Sequence, residues 1–387
     1  MNSIFHDEKD GRSASIWSNY RNKGSDHKIA FEDYILKSDK FLLKTSGGQI
    51  KSKKLVLLKG RLYVTKKLTS SVGKSENQKP KLKYIDLCDA FIGTKVSAQS
   101  SLIDKYVIKL KRGDASLNLI TMDKALFLNW HECLKRWAIN VDFNTKYKCI
   151  SKLGSGAFNS VYKVESNETG QTFAAKHFDK KVLLNSAHRI ASLKKEIEIF
   201  RKISESEYIA NFIEVHETKT SVYIIMEHVK GIPLSKTPVK YVEGVSLKEY
   251  LKKIKTFVES ILHLEKKDIV HLDFKPDNLV WRYPNKSFAD NDLILIDFGV
   301  SQYTDSVKAN SNIYGTPGYI APEIIADNDS YRHGVLKFTP KCDIFSIGAT
   351  FYQLITHTSL FNTKKNNDET KKDVLSLNLQ CNIDFSL

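Results

Sequence analysis

Cysteine is scarce and scattered. Five occur (Cys88, Cys133, Cys149, Cys342 and Cys381), and no two stand in C-x-x-C spacing. This pattern argues against a disulfide or zinc framework and for reduced thiols in an intracellular compartment. Long apolar runs are lacking as well: none approaches the ~18 residues that span a bilayer. The opening MNSIFHDEKDGRSAS is too polar for a signal peptide. The expected location is therefore cytoplasmic. Helix-turn-helix, zinc-finger and aromatic stacking motifs are absent, so no nucleic-acid partner is expected despite the net charge of +16. Acidic residues are nearly missing from 51–83, where Glu76 stands alone among eleven basic side chains. Residues 1–147 carry 28 basic and 15 acidic side chains, whereas 148–387 carry 32 and 29. Two regions with different partners are implied.

The 387 residues are 41% hydrophobic and 27% charged, an ordinary globular balance with room for two or three core-bearing units. Residues 1–27 lack periodicity and read as a flexible leader. Over 28–140, β-prone runs recur: YILK near Tyr34, FLLKT, KLVLLKGRLYVTKK, LKYIDL, KYVIKLK and SLNLIT, parted by turn-like SGGQ, KGR and KRGD. Then DKALFLNWHECLKRWAI repeats apolar residues at Leu126, Trp130, Leu134, Trp137 and Ala138, a helical face. A half-open sheet capped by a helix bearing a tryptophan resembles a pleckstrin homology domain. The resemblance implies a basic site for phosphoinositide headgroups or an anionic membrane surface. Its residues here would be Lys44, Lys51 and Lys53 around the turn TSGGQI, with Arg61 following; Lys51 and Lys53 alternate onto one strand face. Each basic side chain near such a surface contributes ~1 kcal/mol of attraction. The family's tighter pattern has an arginine where Lys53 stands. The alternative is a solvated basic edge that keeps a sheet from aggregating.

Residues 141–147 read as a connector. The following YKCISKLGSGAFNSVYKVESNETGQTFAAKHF places Gly154 and Gly156 in a turn between β-prone runs, where backbone amides can approach phosphate oxygens. Further on, HLDFKPDNL and LILIDFG each end an apolar run on an aspartate, Asp273 and Asp297. A lone buried carboxylate costs several kcal/mol unless paired or metal-bound, so two such deliveries call for a reason. The spacing H-x-D-x-K-x-x-N followed by D-F-G resembles the catalytic and metal loops of eukaryotic protein kinases. The expected fold is α+β: a bilobal protein-kinase-like domain over 147–387, preceded by the β-rich, pleckstrin-homology-like domain with its C-terminal helix.

That resemblance implies roles. Asp273 would orient the substrate hydroxyl and accept its proton, with Lys275 neutralising the transferred phosphate. Asn278 and Asp297 would hold Mg²⁺. ATP would lie against Leu153, Gly154, Ser155, Gly156, Val161, Ala174, Met226, the backbone of Glu227 and Val229, and Leu279, with Lys176 on its phosphates and paired to Glu196. Phe200, Phe212, His271 and Phe298 match a stacked apolar column. SLKKEIEIFRKI would be the helix carrying Glu196, with Glu198 facing solvent. SLKEYLKKIKTFVESILHL would bury Leu247, Leu251, Ile254, Val258, Ile261 and Leu262 on one face. Lys275 and GTPGYIAPE with Thr316 match the serine/threonine branch, so protein substrates are implied. Asp277 could attract a basic substrate residue.

Three departures stand out. Asn159 replaces a third glycine, a residue type that tolerates unusual backbone angles. Leu272 replaces the arginine that grips a phosphorylated activation loop, so activity is expected without phosphorylation at Ser306, Ser311 or Thr316. Leucine there also occurs in death-associated and myosin light-chain kinases. Helices normally following the Phe351 region, with an arginine for Glu323, are expected to be missing: either the sequence is a fragment or truncated product, or the lobe is incomplete and apolar surface near Phe345 and Phe351 is exposed. A weakly active or inactive kinase-like scaffold is the alternative function. A switch in which the N-terminal domain covers the kinase until lipid draws it away would follow from domain order alone.

Overall fold

The computed structural model describes residues 3–5, 18–19, 37–45, 48–58, 60–65, 83–97, 104–156, 158–306, 314–325, 338–361, 371–381 and 383. It divides into two compact units, Met1–Ala187 with Ile213–Ile225, and His188–Phe212 with Met226–Leu387.

The first unit opens with β1 (Ser18–Asn19), β2 (Lys37–Thr45), β3 (Ile50–Leu58), β4 (Arg61–Thr65), β5 (Lys83–Asp86), β6 (Phe91–Ser97), β7 (Lys105–Arg112), β8 (Ala115–Thr121) and α1 (Lys124–Lys135). Strands β5-β4-β3-β2-β8-β7-β6 are neighbours in that order, each pair antiparallel. Period-two alternation in β7 buries Tyr106, Ile108 and Leu110 and turns Lys109 and Lys111 outward. Asp123 caps α1 by accepting the Leu126 N–H at 2.9 Å. The helix then buries Phe127, Trp130 and Leu134 on the sheet. Trp130 stands edge-on to Phe41 at 5.2 Å and donates its indole N–H to Asp39 at 2.7 Å, so a large apolar ring is buried with its polar atom satisfied. The helix stops at Lys135, short of Trp137 and Ala138. Trp137 instead packs on the β3–β4 turn, where Gly60 has φ +78° and a Cβ would come within 2.7 Å of the indole.

Within the expected leader, Ser3–Phe5 are packed. Ile4 and Phe5 are buried, and the Ile4 N–H and Ser3 hydroxyl donate to Glu217, which also pairs with buried Lys180 at 2.9 Å. The β-prone run at Tyr34 lies outside the described residues.

The connector is likewise ordered. After β9 (Ile139–Asn140) come α2 (Phe143–Lys146), β10 (Tyr147–Ser155), β11 (Ser160–Ser166), β12 (Thr172–Asp179), α3 (Lys180–Leu184), β13 (Phe212–Glu217) and β14 (Ser221–Glu227). Strand β9 pairs in parallel with both β6 and β13, so one sheet continues as β6-β9-β13-β14-β12-β11-β10. Phe143 stacks on Tyr223 at 3.7 Å. Beside it lies a polar knot. Glu214 accepts Tyr147 Oη at 2.6 Å and contacts His216 at 2.9 Å and Lys146 at 2.7 Å, while Asp142 lies 3.3 Å from the other His216 ring nitrogen.

The second unit contains α4 (Ala187–Ile203), α5 (Val239–Val242), α6 (Leu247–Glu265), β15 (Ile269–Val270), β16 (Leu279–Trp281), β17 (Leu293–Leu295), β18 (Gln302–Tyr303), α7 (Pro322–Ile325), α8 (Pro340–Thr356) and α9 (Lys371–Gln380). Ser246 and Glu249 form a capping box that starts α6. Its buried face is Tyr250, Lys253, Phe257, Ser260, Ile261 and Leu264, while Leu247, Leu251 and Leu262 are exposed. The aliphatic pattern misplaces this face because a lysine, a tyrosine and a serine occupy it: Lys253 donates to the Ala289 and Asn291 carbonyls, and Tyr250 packs on Phe288. The expected apolar exposure is met only in part: Ile344 and Ile355 are exposed and Phe345 is half-buried. Phe351 is buried against Phe257 at 5.4 Å, and Phe345 stacks on Phe361. Among the described residues no helix is long and apolar enough to cross a membrane.

Candidate active site

The apolar runs before the two aspartates form short strands. β15 pairs with β18 and β16 with β17, both antiparallel. Between β15 and β16 the chain turns sharply, and Leu272 takes φ 67°. Asp343 on α8 fixes that strained turn by accepting the His271 N–H at 2.8 Å and the Leu272 N–H at 2.7 Å. Complete burial pushes its carboxyl up to about 7, against the pull of those two donors. Burial also lowers the His271 pKa. Its Nε2 donates to the Asp297 carbonyl at 2.5 Å and its Nδ1 accepts the Asp273 N–H at 3.2 Å. One ring thereby ties the backbones of both aspartates.

The Asp273 carboxylate gathers three donors. Thr316 Oγ1 donates to Oδ1 at 2.6 Å, while Lys275 and Asn278 Nδ2 reach Oδ2 at 3.1 and 2.9 Å. Lys275 also donates to Thr316 Oγ1 at 2.6 Å, so the threonine hydroxyl sits between ammonium and carboxylate. Thr316 comes 43 residues after Asp273. The sequence motif marks its branch of chemistry but carries no sign of this contact. The approach depends on Gly315, where a Cβ would come within 2.4 Å of the Leu272 carbonyl oxygen. Asp297 accepts the Gly299 N–H at 2.9 Å. Asn278 turns its amide nitrogen to Asp273, which puts its carbonyl oxygen at the other end. A carboxamide oxygen and a carboxylate are the hard donors that Mg²⁺ prefers. Phe200 contacts Phe212 at 5.6 Å and Phe298 at 5.3 Å, and His271 meets Phe298 at 5.0 Å, forming the expected column.

In the first unit, β10 and β11 form the glycine hairpin. Cross-strand register aligns Gly154 with Val161 and Val161 with Lys176, so glycine turn, valine and lysine fall in one row across three strands. Lys176 is 4% exposed and Ala174 is buried, whereas Leu153, Ser155 and Gly156 are exposed. Asn159 is not among the residues of positive φ; it accepts the Gly156 N–H with its backbone and lays its side chain on that glycine. In the second unit Glu196 is buried on α4, and Glu198 is exposed, bound to Lys202 and Tyr303. Met226 and Leu279 are buried and Val229 is half-buried. The Glu227 N–H is spent on the Asn211 carbonyl at 2.8 Å, so only its carbonyl and the Val229 backbone are left for a purine. Asp277 accepts Ser235 Oγ at 2.7 Å. Ser311 lies outside the described residues.

The basic side chains of the N-terminal strands separate into two groups. Lys44, Lys51 and Lys53 surround the β2–β3 turn, where Lys51 opposes Leu43 and Lys53 opposes Phe41. Arg61 opposes Leu58 at the far end of β3, about 17 Å along the strand from Lys53 and about 23 Å from Lys51 at ~3.3 Å per residue. There it pairs with Asp86 at 3.7 Å and covers the Tyr84 ring. Arg61 therefore does not join the other three.

A protein-family profile described as "Protein kinase domain" matches residues 147–386. The chain is 29% identical to calcium-dependent protein kinase 5 of Plasmodium berghei, covering 74% of this chain and 50% of that protein. It is 33% identical to calcium-dependent protein kinase 5 of Plasmodium falciparum, covering 58% and 36%. It is 29% identical to the death-associated protein kinase dapk-1 of Caenorhabditis elegans, covering 60% and 15%. The chain thus spans half or less of the length of these relatives.

Proposed function

Because the chain belongs to the protein kinase family over residues 147–386, we propose that it transfers the γ-phosphate of ATP to serine or threonine hydroxyls of proteins. The observation that carries this reading is the Asp273 carboxylate held at once by Lys275, Asn278 and Thr316. A carboxylate so fixed loses little by ordering when a hydroxyl arrives, and it accepts that hydroxyl's proton as the oxygen attacks phosphorus. Lys275 balances charge on the moving phosphoryl group. Asn278 and Asp297 hold Mg²⁺, which when bound draws charge from the phosphate oxygens. Lys176, in its row with Val161 and Gly154, serves the nucleotide phosphates, and the Val229 N–H and Glu227 carbonyl serve the purine. Asp277, exposed beside the catalytic loop, favours a basic residue in the protein substrate.

The N-terminal meander closed by α1 is, on this reading, a pleckstrin-homology-like domain. Lys44, Lys51 and Lys53 at one turn give it attraction for a phosphoinositide or another anionic surface, with Arg61 serving fold stability instead. A peripheral place on the cytoplasmic membrane face follows. The test is incubation of the purified chain with Mg²⁺-ATP and a generic basic protein, beside Asp297→Asn. Transfer by wild type and its loss in the variant support the enzyme; a folded wild type that transfers nothing supports a kinase-like scaffold. Vesicle sedimentation with and without phosphoinositide, beside Lys51→Glu/Lys53→Glu, tests the membrane role. Equal sedimentation of the two proteins would refute it.

A further inference from the structure

Residues 314–320 contain two glycines of positive φ, Gly315 at +107° and Gly318 at +93°. A backbone of this shape cannot satisfy itself as helix or strand, so its polar groups need partners from elsewhere. The Tyr319 carbonyl accepts Ser346 Oγ of α8 at 2.7 Å, and the Tyr319 N–H returns to the Thr316 carbonyl at 3.1 Å. The remaining partner is Asn378 on α9. Its Oδ1 accepts the Gly318 N–H at 2.6 Å and its Nδ2 donates to the Ile320 carbonyl at 2.9 Å. The side chain is wholly buried, with 0% exposure. Around it α9 is apolar: Leu375 packs on the cluster of Leu272, Ile320, Ala321 and Phe338, and a Cβ at Gly318 would meet Val374 at 3.8 Å. Packing alone would place an aliphatic residue at this position, and a buried amide is tolerated because both its ends are used.

We propose that Asn378 is a positioning residue for phosphoryl transfer, reaching from α9 to set the turn that brings the Thr316 hydroxyl onto Asp273 and Lys275. The proposal rests on the kinase reading of that site. Only Asn fits well. It offers one acceptor and one donor at the spacing of two backbone groups two residues apart, whereas Asp repels the Ile320 carbonyl and Ala satisfies neither group. Helix α9 thus acts on the reaction without touching a substrate.

The test uses the full chain with Mg²⁺-ATP and a generic basic protein, comparing Asn378→Ala, Asn378→Asp, Thr316→Ala and the Asn378→Ala/Thr316→Ala pair. Amide hydrogen exchange reads Gly318 in each. The expected results are a slow Gly318 amide in wild type and in Asn378→Asp, and a fast one in Asn378→Ala. Losing two hydrogen bonds to a buried amide should lower kcat by about tenfold to a hundredfold in Asn378→Ala. The KM for ATP stays unchanged, and the double variant is no slower than Thr316→Ala alone. Unchanged exchange at Gly318 in Asn378→Ala, a proportional change in the KM for ATP, or losses that multiply in the double variant would overturn the proposal. If folded wild type transfers no phosphate, the proposed function falls and the Gly318 exchange decides the contact by itself.

Discussion

Leu272 shows how one side chain redirects local physics. The residue before Asp273 is buried at 4% exposure among Val270, Ile320, Ala321, Ile324 and Phe338, so apolar packing holds the segment that a charged pair would otherwise hold. Restoring arginine there should therefore fail: Leu272→Arg buries a charge among apolar side chains, and the neighbouring Asp343 carboxylate is already engaged by the His271 and Leu272 N–H groups. It is expected to lose about 3 kcal/mol or more in urea unfolding; unchanged stability would show that the cluster is open to solvent. His216 offers a second residue-scale test. Burial alone would lower its pKa, but Asp142 and Glu214 on its two sides raise it, with Tyr147 against its ring and Lys146 on Glu214 as the other titratable neighbours. A histidine whose folded pKa is raised adds stability that is complete below its unfolded value of about 6.5 and is lost as pH rises through the folded value. Melting temperature should fall as pH is raised above about 6.5, and fall less in His216→Gln; parallel curves for the two proteins would refute this linkage.

At the scale of elements, α6 and α9 mark what the sequence could and could not say. The start of α6 was legible because Ser246 and Glu249 cap locally, whereas its buried face was not. The face turns on Lys253, whose stem is buried and whose ammonium meets two carbonyls far along the chain. Lys253→Ala should accordingly cost about 1–3 kcal/mol in denaturant unfolding, while Leu251→Ser on the exposed side stays within about 0.5 kcal/mol. A reversed order would restore the aliphatic face. The β-strands of the N-terminal region were legible through two-residue alternation and turn residues. The catalytic loop was legible because Asp273, Lys275, Asn278 and Asp297 lie close in sequence and each needs its own chemistry. Thr316, Asp343 and Asn378 lie 41 or more residues from their partners, and local spacing carries no trace of such contacts.

For the molecule as a whole, β9 is the decisive feature. Just before the expected connector at 141–147, this strand is bonded on both sides, with the Ile139 N–H on the Ala90 carbonyl at 2.8 Å and the Asn140 side-chain amide on the Val215 carbonyl at 3.1 Å. Within the first unit the N-terminal meander and the strands that carry Lys176 therefore share one sheet, which disfavours a switch that works by lifting the meander away. The Ile139 amide should exchange as slowly as the centre of β7; rapid exchange would mean a flexible tether. The central claim remains catalysis at Asp273. Its most direct test is phosphate transfer from Mg²⁺-ATP to a generic basic protein by wild type and Asp273→Asn, with ATP binding followed by thermal shift. Both proteins are expected to be stabilised by ATP, with the variant at least about 100-fold slower in transfer. Equal rates would contradict the account, and so would stabilisation by ATP without transfer in either protein.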